Sequence, residues 1–154
     1  MPLDGYPVPM WAAQPVLDFL TGIHTAGAAE VRWHTTWQRQ AAEVLAPLLG
    51  LPDFPLTPGP EFDGRTPGYG GDIEPGAPWW KVPAAERVLL GEGRRLVWLD
   101  DDLEYERHRD TGLGILLART DRVLAISPRP HTGLTKAHLA QVARFLDAPH
   151  PLHT

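Results

Sequence analysis

The chain has 154 residues, no cysteine and a formal net charge of −5 at neutral pH. Its length predicts a single domain, residues 1–154, with a hydrophobic core. The absence of cysteine excludes disulfides and thiolate metal sites, and the negative charge argues against broad electrostatic binding to nucleic acid. No apolar run approaches the roughly 18 residues that cross a bilayer, and no basic region precedes an apolar one at the N-terminus. We therefore expect a cytoplasmic protein without membrane contacts.

The first part of the chain predicts two helices with a strand between them. Residues 1–10 hold three prolines and predict an extended initial segment. An apolar spacing typical of a helix covers 15–26, and residues 30–36 alternate as in a strand with one buried face. A second helix is predicted over 37–49, where Gly50 ends it. The side chains expected to face inward from this helix are Ala41, Val44, Leu45 and Leu48.

A proline- and glycine-rich stretch follows. Residues 52–78 contain seven prolines and six glycines. Because these residues interrupt regular structure, we predict a long surface loop that extends to about residue 80. Loops of this length are usually functional lids or disordered insertions.

The last part of the chain alternates short apolar runs with helical patterns. It predicts a helix over 83–90, a strand over 95–99 and a charged helical turn over 104–110. At least one of the two apolar runs at 114–118 and 123–126 is predicted to be a strand. A last helix is predicted to begin at its cap, Thr135, and to end at Asp147. Helices that alternate with short apolar strands predict an α/β fold with a parallel sheet.

Three consecutive carboxylates, Asp100, Asp101 and Asp102, follow the apolar run 96–99. Ligands of open α/β sheets bind beyond the carboxyl ends of the strands, and adjacent acids repel one another unless a cation or a proton intervenes. A hard metal ion is one interpretation, and a polar strand end with solvated acids is the other. Because successive side chains of a strand point to opposite faces, Asp100 and Asp101 can face one ion only if the backbone turns after Asp100 or one acid acts indirectly.

Several motifs occur in an order that resembles a known family. They are Trp-His-Thr-Thr-Trp at 33–37, Leu-Leu-Gly-Leu-Pro at 48–52, Trp-Lys at 80–81, Trp-Leu-Asp-Asp-Asp-Leu at 98–103 and Gly-Leu-Thr at 133–135. Together they resemble the haloacid dehalogenase-like (HAD) hydrolases, and in particular the small HAD domains associated with RNA-repair proteins. The resemblance implies a Rossmannoid parallel sheet flanked by helices, with a core over about 8–147 and the loop at 52–80 in place of a cap.

The resemblance also implies roles for individual residues. In this family an aspartate accepts the phosphoryl group, a hydroxyl and a lysine hold the phosphate, and acids hold Mg²⁺. Thr35 or Thr36 would then hydrogen-bond the phosphate, and Lys81 would neutralise its charge. Asp100 and Asp101 would hold Mg²⁺ directly or through water. Without the resemblance, the threonines could end a strand and cap a helix, and Lys81 could be an ordinary solvated lysine.

One motif of the family has no counterpart in this sequence. The family's first strand ends in Asp-x-Asp-Gly and supplies the nucleophile and the general acid. Leu3-Asp4-Gly5 resembles only the end of that motif, with Pro2 in the position of the nucleophile. We therefore expect that the first strand of the sheet is missing. Either Met1 lies downstream of the true start or the domain has lost its nucleophile.

Two functions of different class follow from these observations. The first is a Mg²⁺-dependent phosphatase that acts on a phosphorylated small molecule such as a nucleotide, or on a nucleic-acid end, with little or no activity in this chain. The second is a non-catalytic accessory or host-interaction protein that binds a protein or a ligand. An unfilled position in the sheet would also allow a homodimer to form through strand pairing.

Overall fold

The computed structural model describes residues 12–57 and 79–147, together with the backbone of residues 2–3 and 6–7. Contacts along the chain divide the protein into two compact units, Met1–Gly76 and Ala77–Thr154. Two such units are compatible with one domain or with two, so the single domain stays a prediction. Most of the predicted loop at 52–80, namely residues 58–78, lies outside the described residues.

The first unit contains short strands and helices. Strands β1 (Pro2–Leu3) and β2 (Tyr6–Pro7) pair in an antiparallel arrangement. Helix α1 covers Gln14–Thr25, and a π-helical segment, Ala41–Leu45, leads directly into α2 (Ala46–Leu49). The two helices predicted from the apolar spacing are therefore both present, although the second begins later than expected.

Helix α1 confirms its predicted bounds to within one residue. Pro15 stands in the first turn, where its missing N–H removes no hydrogen bond. Gly27 follows the helix with φ of 69°, in the left-handed region that glycine adopts without steric cost. The N–H groups of Ala28 and Ala29 both donate to the carbonyl of Ile23 and close this end of the helix.

The strand predicted over 30–36 is wrong except at one position. Trp33 forms an isolated parallel bridge with Leu56, and the chain then turns at once. The hydroxyl of Thr35 accepts the backbone N–H of Trp37 at 3.2 Å, and the Thr35 carbonyl accepts the N–H of Gln38 at 3.2 Å. Such local bonds compete with a strand ladder, and the alternating pattern contained no sign of them.

The inward face predicted for the second helix is only partly correct. Ala41 and Leu45 are buried, whereas 40% of Val44 and 65% of Leu48 are exposed. The N–H of Ala46 donates to the carbonyl of Ala41, five residues back, which defines the π turn. Such a turn inserts one extra residue and rotates the side chains that follow it. At the end of this turn Ala46 is buried, and Leu48, which follows it, is exposed.

Proline explains where this irregularity falls. Pro47 follows the π turn directly. Proline has no N–H, and inside a helix its ring clashes with the carbonyl four residues back. A wider turn just before Pro47 relieves that clash. The helix then ends at Gly50, as predicted, with φ of 64°.

The second unit is an α/β arrangement around a pair of parallel strands. Its elements are α3 (Lys81–Glu86), a π-helical segment (Arg87–Gly91), β3 (Leu96–Leu99), α4 (Leu103–Glu106), α5 (Thr111–Leu117), β4 (Val123–Ile126) and α6 (Lys136–Asp147). Leu96 pairs with Val123 and Leu99 with Ile126, in parallel. The α/β class with a parallel sheet is thus confirmed, and of the two apolar runs only 123–126 is a strand.

The core of the second unit lies between this strand pair and the helices. Its buried members come from α3 and the segment that follows it, from both strands, and from α4 and α5: Val82, Ala85, Leu89, Trp98, Leu103, Leu113, Leu116 and Val123. Burial of these apolar side chains is the main favourable contribution to folding. The packing fixes the carboxyl end of β3 next to the start of α3.

Helix α6 begins as predicted. The hydroxyl of Thr135 accepts the N–H of His138 at 3.3 Å, and the Thr135 N–H donates to His138 Nδ1 at 3.2 Å. These reciprocal bonds satisfy backbone donors at the helix start. At the other end, the guanidinium of Arg95 donates to the carbonyls of Phe145 and Leu146 at 2.9 and 3.0 Å. Arg95 thereby ties the end of α6 to the start of β3.

Within the described ranges, no helix combines the length and the apolar character that a membrane span requires.

Candidate functional site

The candidate site lies where β3 ends. The backbone N–H of Asp100 donates to the carbonyl of Ile126 at 3.1 Å, so the pairing with β4 continues to this residue. The chain then turns, because one carboxylate oxygen of Asp100, Oδ1, accepts the N–H of Asp102 at 3.1 Å. This turn meets the geometric condition for Asp100 and Asp101 to face one ion.

Ser127 holds this turn against the end of the neighbouring strand. Its hydroxyl donates to the carbonyl of Asp101 at 3.1 Å and accepts the N–H of Glu104 at 3.2 Å. Ser127 directly follows β4, so a single side chain joins the carboxyl ends of both strands. The position of the acids is therefore fixed from two elements of the sheet.

Lys81 and Asp100 form an ion pair at this point. Lys81 Nζ lies 2.5 Å from Asp100 Oδ2, and only 9% and 6% of the two side chains are exposed. Lys81 is the first residue of α3, and Asp100 lies 19 positions further along the chain. Burial of two charges carries a large desolvation penalty, which only a close contact with further hydrogen bonds offsets.

Two tryptophans surround the ion pair. The rings of Trp79 and Trp98 stack with their centroids 5.5 Å apart and an angle of 14° between their planes. The ammonium of Lys81 lies 5.0 Å from the centroid of the Trp79 ring, within the range of a cation–π contact. The indole nitrogen of Trp98 lies 3.5 Å from Asp100 Oδ2. The tryptophans thus shield the charges from water on this side.

Asp110 supports the arrangement and was missed in the sequence. Its Oδ2 accepts the N–H of Trp79 at 2.8 Å, and its Oδ1 accepts the N–H of Leu113 at 3.0 Å. The same carboxylate therefore caps α5 and anchors the tryptophan that covers Lys81. An aspartate just before an apolar helical run is a recognisable N-cap signal, although its bond to Trp79 depends on tertiary structure.

The three consecutive acids have a geometry that suits a cation. Asp100, Asp101 and Asp102 each offer a carboxylate oxygen, and these oxygens all lie within 4.8 Å of one another. A donor set made only of oxygens, with room for water at the exposed Asp101, is the chemistry that Mg²⁺ prefers. Asp100 would contribute to such a site through Oδ1, or through Oδ2 if the cation shared that oxygen with Lys81 or replaced it there.

The pKa of Glu106, a residue that the sequence analysis did not identify, is affected by burial and by the charges near the acids that follow β3. Partial burial raises its pKa above the usual value of 4.5, and the carboxylates of Asp102 and Asp110 add to the rise. Arg109 and Lys81 act in the opposite direction. Burial is thus the main reason that the pKa of Glu106 is raised, and the neighbouring charges act in both directions.

The two predicted threonines belong to the first unit. Thr35 shapes the turn that leads to the π-helical segment, through its hydroxyl and its carbonyl. Thr36 is half-buried in the same turn. Of the predicted site residues, the structure thus brings Lys81, Asp100 and Asp101 together in the second unit. The approach of Thr35 or Thr36 to these residues stays a prediction.

A shallow cleft of about 390 Å³ lies in the first unit between α1 and the end of α2. Asp18 is its one ionisable lining residue, beside the polar side chains of Gln14, Thr21 and Thr25. A lone exposed acid without a base or a second ligand supports no chemistry of its own. The candidate site is therefore the region around Lys81 and Asp100.

No family model, curated protein or solved structure matches this chain.

Proposed function

We propose that this protein is a HAD-like phosphohydrolase-type domain that binds Mg²⁺ and a phosphate group at the carboxyl end of β3, with little or no turnover by itself. The observation that carries the proposal is the contact between Lys81 Nζ and Asp100 Oδ2 at 2.5 Å. The resemblance assigns these two residues to the same site, although 19 positions separate them. Their convergence at a strand end, beside Asp101, is what such a site requires.

Each residue has a distinct role in this proposal. Lys81 supplies positive charge to a phosphate group, and Thr35 or Thr36 donates a hydrogen bond to it. Asp100 and Asp101 hold Mg²⁺, which would neutralise charge on the phosphate oxygens when bound. The phosphate would belong to a nucleotide or to the end of a nucleic acid.

The expected lack of turnover follows from the sequence. None of its apolar runs ends in Asp-x-Asp-Gly. The family's reaction proceeds through an aspartyl-phosphate, in which a carboxylate oxygen attacks phosphorus and the alcohol leaves. Without a counterpart of that aspartate, the site would bind the phosphate group and leave the ester intact.

A second candidate function is a non-catalytic binding or accessory protein. The observation that favours it is the internal pairing of Asp100, whose two oxygens accept the Lys81 ammonium and the Asp102 N–H. A buried pair of this kind can serve the fold alone. In that case the acids would have no affinity for Mg²⁺.

Calorimetric titration with Mg²⁺ separates the two functions. We expect the wild-type protein to bind one Mg²⁺, and Asp101→Asn to weaken the binding by about tenfold or more. Asp121→Asn is the matched control, because Asp121 is an exposed acid outside the cluster. It should leave the affinity unchanged. Absence of Mg²⁺ binding by the wild-type protein at millimolar concentrations would contradict the proposed function and favour the second candidate.

A further inference from the structure

The outer edge of β3 has backbone groups that point away from its partner strand. The N–H groups of Leu96 and Asp100 donate toward β4, at 2.8 and 3.1 Å. Because alternate residues of a strand bond to the same neighbour, Val97 and Leu99 direct their N–H and carbonyl groups to the opposite side. Within residues 79–147, no other backbone group bonds to them.

The residues on this edge have no feature that prevents further pairing. Charged residues, proline and β-bulges commonly protect strand edges from association. Val97 and Leu99 are apolar and half-buried, and the register between β3 and β4 runs without a bulge. Within the described part of the second unit, the outer edge of β3 is therefore able to accept another strand.

The charges at the two ends of β3 indicate which strand fits this edge. Two arginines, Arg94 and Arg95, precede the strand, and three aspartates follow it at 100–102. A second copy of β3 in antiparallel orientation brings its aspartates beside these arginines and its arginines beside these aspartates. A parallel copy would place like charges side by side, which is unfavourable. The segment is thus complementary to itself when the two strands run in opposite directions.

Arg94 and Asp101 are the accessible members of these two charged groups. The side chain of Arg94 is 42% exposed, and its contact with Glu92 at 3.4 Å is an exposed pair that contributes little stability. Asp101 is exposed as well. Arg95, in contrast, donates to carbonyls at the end of α6. Arg94 and Asp101 are therefore the residues through which the charge complementarity can be tested.

The outer edge of β4 fits a second copy less well. The N–H of Val123 already donates to the carbonyl of Arg119 at 2.8 Å. Pro128, two residues after the strand, has no N–H to contribute to a ladder. This edge therefore offers a shorter run of backbone donors than the edge of β3.

We propose that two copies of this chain associate through the outer edges of β3, in antiparallel orientation about a two-fold axis at Trp98. Val97 of each copy then lies opposite Leu99 of the other, and each of these pairs exchanges two hydrogen bonds. The result is a four-stranded sheet in the order β4-β3-β3-β4. Because a contact between two short strands is small, the association is reversible, with a dissociation constant in about the micromolar range. It requires neither a metal ion nor a phosphate group.

Sedimentation velocity of the whole protein over a wide range of concentration measures the association. We expect the wild-type protein to shift from monomer to dimer as the concentration rises. Arg94→Glu and Asp101→Lys each place like charges across the interface and should weaken dimerisation by about tenfold or more. Arg129→Glu is the matched control, because Arg129 is exposed and lies outside the β3 segment. It should leave the dissociation constant unchanged.

A mixture of the two charge-reversal variants tests the antiparallel orientation itself. In a mixed dimer, the introduced glutamate of one copy faces the introduced lysine of the other, and the native Arg94 faces the native Asp101. Both contacts are then attractive, so the mixture should dimerise with an affinity close to that of the wild type. A mixture that associates no better than the separate variants would overturn the antiparallel pairing.

Amide hydrogen exchange of the wild-type protein locates the interface without any substitution. The amides of Val97 and Leu99 should exchange more slowly at high protein concentration than at low concentration. The amides of Leu96 and Asp100, which donate toward β4, are the internal control and should be protected at both concentrations.

Three results would overturn the proposal. The first is a wild-type protein that remains monomeric up to about 1 mM. The second is a dimer that neither Arg94→Glu nor Asp101→Lys weakens. The third is a dimer that forms without slower exchange at Val97 and Leu99. If a variant does not fold, as judged by circular dichroism, the wild-type exchange measurement still decides the question.

Discussion

Replacement of Lys81 by methionine is expected to destabilise the protein by about 3–5 kcal/mol, the usual effect of removing one partner from a buried ion pair. The magnitude follows from the geometry. At 2.5 Å and an effective dielectric constant of about 20, the attraction between the two charges is about 7 kcal/mol. Desolvation of both ions offsets several kcal/mol of that attraction, so the pair contributes little net stability. Loss of Lys81, however, leaves the Asp100 carboxylate buried without this opposite charge.

A double-mutant cycle tests this interpretation. Asp100→Leu should also destabilise, whereas the double variant Lys81→Met with Asp100→Leu should be destabilised by less than either single variant, because neither charge is then left buried without the other. It should remain about 1 kcal/mol below the wild type, because the N–H of Asp102 loses its acceptor. Lys136→Met is the control and should change stability by no more than about 0.5 kcal/mol.

Urea unfolding followed by tryptophan fluorescence is a suitable assay, because Trp79 and Trp98 stack beside the ion pair. The reasoning would be refuted if Lys81→Met destabilised the protein no more than Lys136→Met. That result would mean that the buried charge of Asp100 does not depend on Lys81 for its compensation.

Three further predictions concern the surroundings of the pair and its chemistry. Because the folded-state pKa of Glu106 is raised, the contribution of Glu106 to the free energy of unfolding should fall as pH rises from 4.5 through that raised value. In urea unfolding at several pH values, Glu106→Gln should be more stable than the wild type at neutral pH and as stable as the wild type below pH 4.5. Asp110→Ala should lower the free energy of unfolding by about 0.5–2 kcal/mol through loss of the α5 cap. A loss above that range in the same urea assay would give the additional contribution of the hydrogen bond to Trp79. With Mg²⁺ and a generic phosphate ester, the chain should release little or no phosphate in a colorimetric assay; sustained hydrolysis that Asp100→Asn abolishes would contradict the expected loss of the nucleophile.

The sequence was sufficient for elements whose pattern is local and regular. The apolar spacing in α1 and α6, the apolar runs that form β3 and β4 and the Thr135 cap are properties of neighbouring residues, and the structure confirms them. The parallel pairing followed from the alternation of helices and strands. These features could be predicted because no distant contact competes with them.

The errors fall where one residue changes the local geometry. A π turn directly before Pro47 displaces the register of the second helix, and Leu48 after it is exposed. The hydroxyl of Thr35 turns the chain after Trp33 and leaves a single bridge in place of a strand. Periodicity alone contains no information on either effect.

The candidate site was predictable only in part. The resemblance assigned Lys81 and Asp100 to one site, and the sequence predicted acids at the end of a strand. Neither indicated that the two side chains pair directly, nor that Asp110 anchors Trp79 beside them. These contacts join residues 19 and 31 positions apart, and they exist only because α3, β3 and α5 pack around one core.

Binding of a divalent cation at the end of β3 is tested most directly by nuclear magnetic resonance with Mn²⁺ as a paramagnetic substitute for Mg²⁺. We expect substoichiometric Mn²⁺ to broaden the amide signals of Asp101, Asp102 and Ser127 first, and excess Mg²⁺ to restore them. Broadening that begins instead at exposed acids elsewhere, such as Asp121, or that Mg²⁺ does not reverse, would contradict the account.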